Sequence, residues 1–328
     1  MLRLGILGTG KIVQEFLPHL AELDFEAVSI LSTPRSVERA ERLAAQYHIG
    51  RCVTDYDEML QSEVDVIYVA LPNHLHFSFA GRALEHGKHV ICEKPMTSNV
   101  DELRTLIDVA KQNRVMLLEA MTLYHLPAYQ AMRRDLAKLG PIKIVSLNYS
   151  QYSSRYDAFL QGIVQPAFDP AQSGGALMDI NVYNIHALVG LFGKPAAVQY
   201  AANIARGIDT SGIALCRYPT FQAVCVGAKD CASRQTSVIE GERGVLSIEG
   251  PVSCMTGYTI DYHDGQREVH VEDNPPYRMI PEFQAFARIL NEQDWAYHDT
   301  LMEYSLEAAQ VLQDARRCAG VRFPCDSF

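Results

Sequence analysis

No stretch of this chain stays apolar long enough to cross a bilayer as a helix, and no run of lysine and arginine forms a basic face. The first absence excludes a helical membrane protein. The second, with a net charge of -10, speaks against nucleic acid or an anionic membrane surface as a partner. The eight cysteines, at 52, 92, 216, 225, 231, 254, 318 and 325, include no Cys-x-x-Cys pair and have no histidines at zinc-ligand spacing, so no metal site is expected. Several sit in apolar runs, where a thiol packs as a small hydrophobe. Internal repeats, low-complexity tracts and disordered linkers are missing as well. Residues 1–7 run into a strand pattern rather than a secretory leader, and a cytoplasmic location is the expectation.

What is present is enough chain for two cores: 328 residues exceed what one hydrophobic core usually supports. Strand and helix patterns alternate through the first third. Leu2 to Leu7, Ala27 to Leu31, Val64 to Ala70, His89 to Cys92 and Met116 to Glu119 read as strands. Ile12 to Leu23, Ser36 to Tyr47, Leu75 to His86 and Val100 to Asn113 read as helices, the first expected to bend at Pro18. Such alternation implies a parallel sheet with right-handed crossovers. From about Leu123 the pattern turns to strands joined by tight connections: Ile142 to Tyr152, Ala196 to Asn203, Gly212 to Tyr218, Phe221 to Ala228, Gln235 to Glu240 and Val245 to Glu249. Asp264-Gly265 is a strong hairpin signal. Helices over Pro281 to Asn291 and Thr300 to Cys318 close the chain.

The fold class expected is therefore α/β. Residues 1–120 form a Rossmann dinucleotide-binding domain, and a C-terminal helix over about 299–320 is placed to pack back on it. Residues 121–328 form an α+β substrate-binding domain with a large, mainly antiparallel, open-faced sheet.

Gly8-Thr9-Gly10-Lys11-Ile12-Val13 stands between the first strand and first helix, where a dinucleotide fingerprint belongs. Gly8 permits the tight turn, and Gly10 lets the backbone approach a pyrophosphate at the helix start. Val13 replaces the third glycine, which loosens helix–strand packing without touching the phosphate contacts. At the end of the second strand, where NAD enzymes carry a carboxylate, the chain reads Leu31-Ser32-Thr33-Pro34-Arg35-Ser36. The hydroxyls of Ser32 and Thr33 and the Arg35 guanidinium suit a 2′-phosphate, favouring NADP over NAD.

Three more segments join the glycines: Leu71-Pro72-Asn73-His74-Leu75-His76, Glu93-Lys94-Pro95, and Gly174-Gly175-Ala176-Leu177-Met178-Asp179-Ile180-Asn181-Val182-Tyr183. In this order, over nearly the whole chain, they resemble the Gfo/Idh/MocA oxidoreductases. The resemblance implies that Lys94 is the catalytic lysine, that Asp179 is the acid of the second-domain helix, and that Pro95 follows a cis bond. Tyr183 stands where many members have histidine; the glucose–fructose oxidoreductase and dihydrodiol dehydrogenase branches have tyrosine there, so the resemblance points to that side of the family. Asn181 replaces a usual glycine and His186 a frequent acid, departures that bear on substrate more than on chemistry.

On a regular helix the i to i+4 spacing sets Asp179 and Tyr183 on one face, about 5–6 Å apart at Cβ, with His186 near it. Hydride transfer needs a partner for the hydroxyl proton. Lys94 and Tyr183 are expected to form that relay, with Asp179 orienting them; the sequence leaves open which is the immediate acid/base. Leu71, Asn73, His76 and Glu93 are expected to contact the cofactor, with a surface histidine opening a helix as the alternative for His76. Tyr124, Tyr152, Arg155 and His186 are weaker substrate-contact candidates. The expected activity is NADP-dependent oxidation or reduction of a sugar, polyol or diol, with a non-catalytic NADP-binding sensor as the alternative. The exposed sheet face is expected to form a homodimer or a dimer of dimers.

Overall fold

The computed structural model describes residues 1–272 and 277–326. The first part of the chain forms β1 (Leu2–Leu7), α1 (Lys11–Phe16), β2 (Phe25–Leu31), α2 (Val37–Tyr47), β3 (Arg51–Val53), α3 (Tyr56–Leu60), β4 (Val66–Val69), α4 (Asn73–Glu85), β5 (His89–Glu93), α5 (Val100–Asn113) and β6 (Leu117–Ala120). There follow α6 (Pro127–Asp135), β7 (Ile142–Ser150), α7 (Tyr156–Leu160) and α8 (Val182–Phe192). The strands β8 (Ala197–Ala205), β9 (Ile208–Arg217), β10 (Gln222–Ala228), β11 (Ser237–Gly241), β12 (Gly244–Ile248), β13 (Gly257–Tyr262) and β14 (Arg267–Val271) come next. Two helices, α9 (Met279–Glu292) and α10 (Trp295–Ala319), end the chain. No helix among the described residues is long and apolar enough to cross a membrane.

The chain divides into two compact units, Met1–Ala120 with Met279–Leu306, and Met121–Arg278 with the residues from Glu307 onward. In the first unit six parallel strands run in the order β3-β2-β1-β4-β5-β6. The order reverses between β1 and β4, which opens a crevice outside the carboxyl ends of those strands. The edge strand β3 and helix α3 were not legible as elements, because three and five residues are too few for a periodicity. The expected helix from Ile12 to Leu23 is split: α1 stops at Phe16 and a 3-10 turn, Leu17–Glu22, takes up Pro18, whose ring cannot continue an α-helix. Phe283 of α9 is fully buried and meets Phe16, Tyr68 and Phe25 at ring-centroid distances of 4.4, 5.1 and 6.0 Å.

The second unit carries an eight-stranded sheet in the order β14-β13-β12-β11-β7-β10-β9-β8. Its neighbours are antiparallel except β7 and β10, which pair in parallel. The β13–β14 hairpin is the one signalled by Asp264-Gly265. Its two strands were not among those read from the sequence, although Tyr258, Ile260 and Tyr262 alternate with Thr259 and Asp261 in β13. Partner positions on one face run across all eight strands: Gln199, Leu215, Val224, Ser146, Val238, Ser247, Thr259 and Val269. Each of them is exposed or half-buried in the monomer, so this face of the sheet is open.

Truncating the aromatic cluster tests the first unit's core. Phe283→Ala is expected to lower stability by about 3–5 kcal/mol, read from the urea midpoint; a change below about 1 kcal/mol would show that the cluster contributes little.

Candidate active site

The fingerprint loop is shaped by close approach at the β1–β4 switch. Gly8 has φ +100°, and a Cβ there would lie 2.8 Å from the Ala70 carbonyl oxygen and 3.3 Å from Leu71 Cδ2. A side chain at Gly8 would therefore be strained and crowded. Gly10 precedes α1 with open space where its Cβ would stand, and Gln14 Nε2 donates to Thr9 O at 2.9 Å, holding the loop. Lys11 is exposed and pairs with Glu15 at 3.5 Å, while Thr9 is buried and Ile12 half-buried.

At the end of β2, Ser32 is buried and its hydroxyl has no hydrogen-bond partner among the described residues. Thr33 and Ser36 form a local turn, with Thr33 N donating to Ser36 Oγ at 3.2 Å. Arg35 is exposed, and no ion pair or hydrogen bond to its side chain occurs among the described residues. An orphaned hydroxyl beside an uncommitted guanidinium, with no carboxylate in the turn, fits an anionic group on the cofactor's ribose.

Glu93 ends β5 and Lys94 follows it, both half-buried, and the Lys94–Pro95 bond is cis. The Tyr68 hydroxyl donates to Glu93 Oε1 at 2.6 Å, and Met96 N donates to Glu119 Oε1 at 2.9 Å. Asn73 opens α4 and is half-buried. His76 is not the surface residue of the alternative expectation. It is fully buried, with Nδ1 3.0 Å from Pro95 O and Nε2 2.8 Å from Leu71 O. It is a strut between the turn after β4 and the turn after β5. Both partners are carbonyls, so a neutral ring donates to one and only an imidazolium would serve both. Burial nevertheless pushes the His76 pKa down, and the charge of Lys94 acts in the same direction.

In the second unit the helix expected to carry Asp179 and Tyr183 does not run regularly. Leu177–Asn181 is a π-helical turn that feeds α8, so the plain i to i+4 geometry from Asp179 to Tyr183 gives way to a wider turn. The cause lies beneath it. Asn181 Nδ2 donates to Cys225 O at 3.1 Å and Asn184 Nδ2 to Val226 O at 3.0 Å, while a Cβ at Gly227 would come 2.5 Å from Asn181 Cβ. Asp209, fully buried on β9, accepts from Leu177 N at 2.7 Å and from the Tyr200 hydroxyl at 2.8 Å; burial pushes its pKa up. Tyr183 is buried, its ring 5.9 Å from that of Tyr149 and 5.9 Å from the Arg278 guanidinium carbon.

Among the weaker candidates, Tyr124 and His186 are both buried and engage each other. The Tyr124 hydroxyl lies 3.0 Å from His186 Nδ1 and 3.1 Å from its carbonyl oxygen. Gly190 makes room for this, since a Cβ there would meet Tyr124 Cε1 at 2.6 Å. The pair is thus a packed polar contact. Tyr152 and Arg155 are exposed; the Tyr152 hydroxyl donates to Asp157 Oδ1 at 2.7 Å. Asp135, Glu268 and His270 alone stand at metal-ligand spacing among the described residues, and Lys138 Nζ bridges the two carboxylates at 3.0 and 2.8 Å.

Sequence reasoning missed Lys229, which follows β10 and forms an ion pair with Asp179. No motif marks it; the one available signal was a lysine abutting a wholly apolar strand.

Residues 2–121 match the model of the oxidoreductase family with an NAD-binding Rossmann fold, and residues 129–247 match the GFO/IDH/MocA C-terminal domain. Fold and match together define an NAD(P)-binding oxidoreductase of two units. The chain is 37% identical over 331 residues to the scyllo-inositol 2-dehydrogenase (NADP(+)) IolU of Bacillus subtilis, with 99% of each chain covered. It belongs to the Gfo/Idh/MocA family. It is also 25% identical over 354 residues to the trans-1,2-dihydrobenzene-1,2-diol dehydrogenase of Macaca fuscata fuscata, again covering 99% of each. A crystal structure of a 3-ketoreductase from Actinomadura kijaniata with NADP and TDP-benzene superposes with a TM-score of 0.82 at 25% identity, over 98% of both chains.

The strut residue has a pH signature. The unfolded chain protonates His76 near its ordinary value of 6.5, whereas the folded chain resists it, so stability falls as pH drops through that value. His76→Gln is expected to give a shallower loss of stability below about pH 6.5 than wild type in parallel urea titrations. Identical slopes would show that His76 is protonated in the folded protein.

Proposed function

We propose that this enzyme interconverts a secondary alcohol and the matching ketone on a sugar, polyol or diol, with NADP preferred over NAD. The observation that carries the reading is Lys94. It is a half-buried amine at the end of β5, beside the chain reversal of the Rossmann sheet, with Glu93 anchored by Tyr68 and Pro95 by His76. Fixed neighbours on both sides restrain the backbone from which the amine reaches, and proton transfer requires a positioned group. The relatives supply the substrate class: one is named for an inositol, one for a dihydrodiol, and one is a 3-ketoreductase.

When bound, the nicotinamide supplies or accepts the hydride. Gly8, Thr9, Gly10, Lys11 and Ile12 would hold the pyrophosphate through amides of the first helical turn, which have no acceptors inside the helix. Ser32, Thr33 and Arg35 would take the 2′-phosphate, and Leu71, Asn73 and Glu93 the nicotinamide half. Lys94 and Tyr183 form the proton relay at the reacting oxygen, and Asp179 orients it. Tyr152 and Arg155 remain as substrate contacts from the exposed loop after β7.

The open sheet face supports a homodimer or a dimer of dimers. Ile213 and Leu215 of β9 and Val269 of β14 are 49%, 46% and 65% exposed, an apolar surface of the kind that oligomers cover.

Steady-state assays with NADPH and NADH against sugars, inositols, dihydrodiols and their ketones test the reading. Lys94→Ala is expected to cut turnover by about 10²–10⁴-fold while NADPH binding stays within about twofold; near-normal turnover would remove Lys94 from the relay. Arg35→Ala is expected to raise the KM for NADPH by about 10- to 100-fold and leave that for NADH alone. Leu215→Glu is expected to yield monomers by sedimentation, and a wild type already monomeric at micromolar concentration would contradict the dimer.

A further inference from the structure

Lysine is rarely buried, and Lys229 is 2% exposed. Its backbone is pinned on both sides, N–H to Thr210 O and carbonyl to Ser153 N, each at 2.9 Å. Its ammonium donates to Asp179 Oδ2 and, at 2.9 Å, to Ala167 O. The third side of Nζ lies 4.4 Å from the centroid of the Phe168 ring. A carbonyl oxygen demands an N–H, and an aromatic face favours a cation, so all the surroundings select the charged form. Asp179 keeps 34% of its side chain exposed, while the lysine that holds it keeps 3%. One partner is available to chemistry and the other is not.

We propose that Lys229 is a positioning residue of the reaction: its buried ammonium fixes the rotamer of Asp179 and keeps that carboxylate ionised, so that Asp179 can orient the proton relay. This rests on the function proposed above. Other ionisable groups stand around the pair. Asp209 faces it from β9, with Oδ2 accepting from Leu177 N and the Tyr200 hydroxyl and Oδ1 buried without a hydrogen-bond partner among the described residues. Asp230, next in the chain, accepts from the hydroxyls of Thr210 and Ser211 at 2.7 and 2.9 Å. Tyr183 and His186 follow on α8. Of the carboxylates named here, Asp179 is the one that meets the ammonium.

Lys229→Met preserves length and removes the charge, and Lys229→Arg keeps it. For Lys229→Met, kcat is expected to fall by at least tenfold with the Kd for NADPH unchanged. Without its cation Asp179 binds a proton more readily, so the acidic limb of the kcat profile should move to higher pH, by about one unit or more. Lys229→Arg should restore part of the rate and return the limb. In an Asp179→Asn background Lys229→Met should cost little more, because its target is already gone. Wild-type kcat with an unmoved acidic limb, or full additivity with Asp179→Asn, would overturn the proposal. Carboxyl NMR titration of Asp179 in both proteins separates this from the functional reading. If no alcohol or ketone is turned over, that reading fails, yet an upward shift of Asp179 in Lys229→Met still supports the pairing, and no shift refutes it.

Discussion

Gly227 lets a helix lie closer to a strand than any side chain would allow, and the second unit is organised around that approach. Because nothing projects from this point of β10, Asn181 settles on the strand and turns its amide to Cys225 O, and Asn184 follows onto Val226 O. A carbonyl buried without a donor costs about 1–3 kcal/mol, so these contacts fix the register of the helix as well as its distance. The turn widens to a π-helix to meet the strand, and Asp179 lies on that widened turn. Two residues beyond Gly227, Lys229 closes the arrangement from below. An unpaired charge taken out of water costs on the order of several kcal/mol, so the buried Lys229 needs the partnership with Asp179.

The first unit solves a related problem by different means. Its strand order reverses between β1 and β4, and the loops at their carboxyl ends must leave room for a ligand yet stay rigid. Gly8 provides room through its left-handed backbone against Ala70. His76 provides rigidity by joining the loops after β4 and β5 through two carbonyls. Tyr68, buried in the sheet, reaches Glu93 from the adjacent strand. Lys94 is thereby flanked by two fixed neighbours. In both units one polar residue that is half-open, Lys94 or Asp179, is held by polar residues that are closed, a division suited to a group that must move a proton without moving itself.

Much of this was legible in the sequence where a local pattern carries it. The alternation of apolar strands and helices revealed the parallel sheet, and Gly8-Thr9-Gly10 between β1 and α1 marked the nucleotide end. The antiparallel sheet was legible from β7 to β12, whereas β13, six residues long, was not read despite its alternation, and β14, with only Val269 and Val271 apolar, was too short to stand out. The π-turn was invisible because it arises from a contact between Asn181 and Gly227, which are distant in the chain. Lys229 was missed for the same reason: nothing adjacent to it in sequence says that its side chain meets Asp179. That the Tyr124 hydroxyl would meet His186 was likewise not legible, because the two are distant in the chain.

The account holds that a hydride crosses between nicotinamide and a carbon bearing oxygen, in a chain whose residues handle only the proton. The most direct measurement follows the hydride itself. NADPH carrying deuterium on one face of nicotinamide C4 is incubated with ketones of the sugar, inositol and diol classes, and the products are read by NMR and mass spectrometry. The account predicts that deuterium from one face appears on the new carbinol carbon of a product. Bound NADPH with no deuterium in any alcohol across those classes would contradict it.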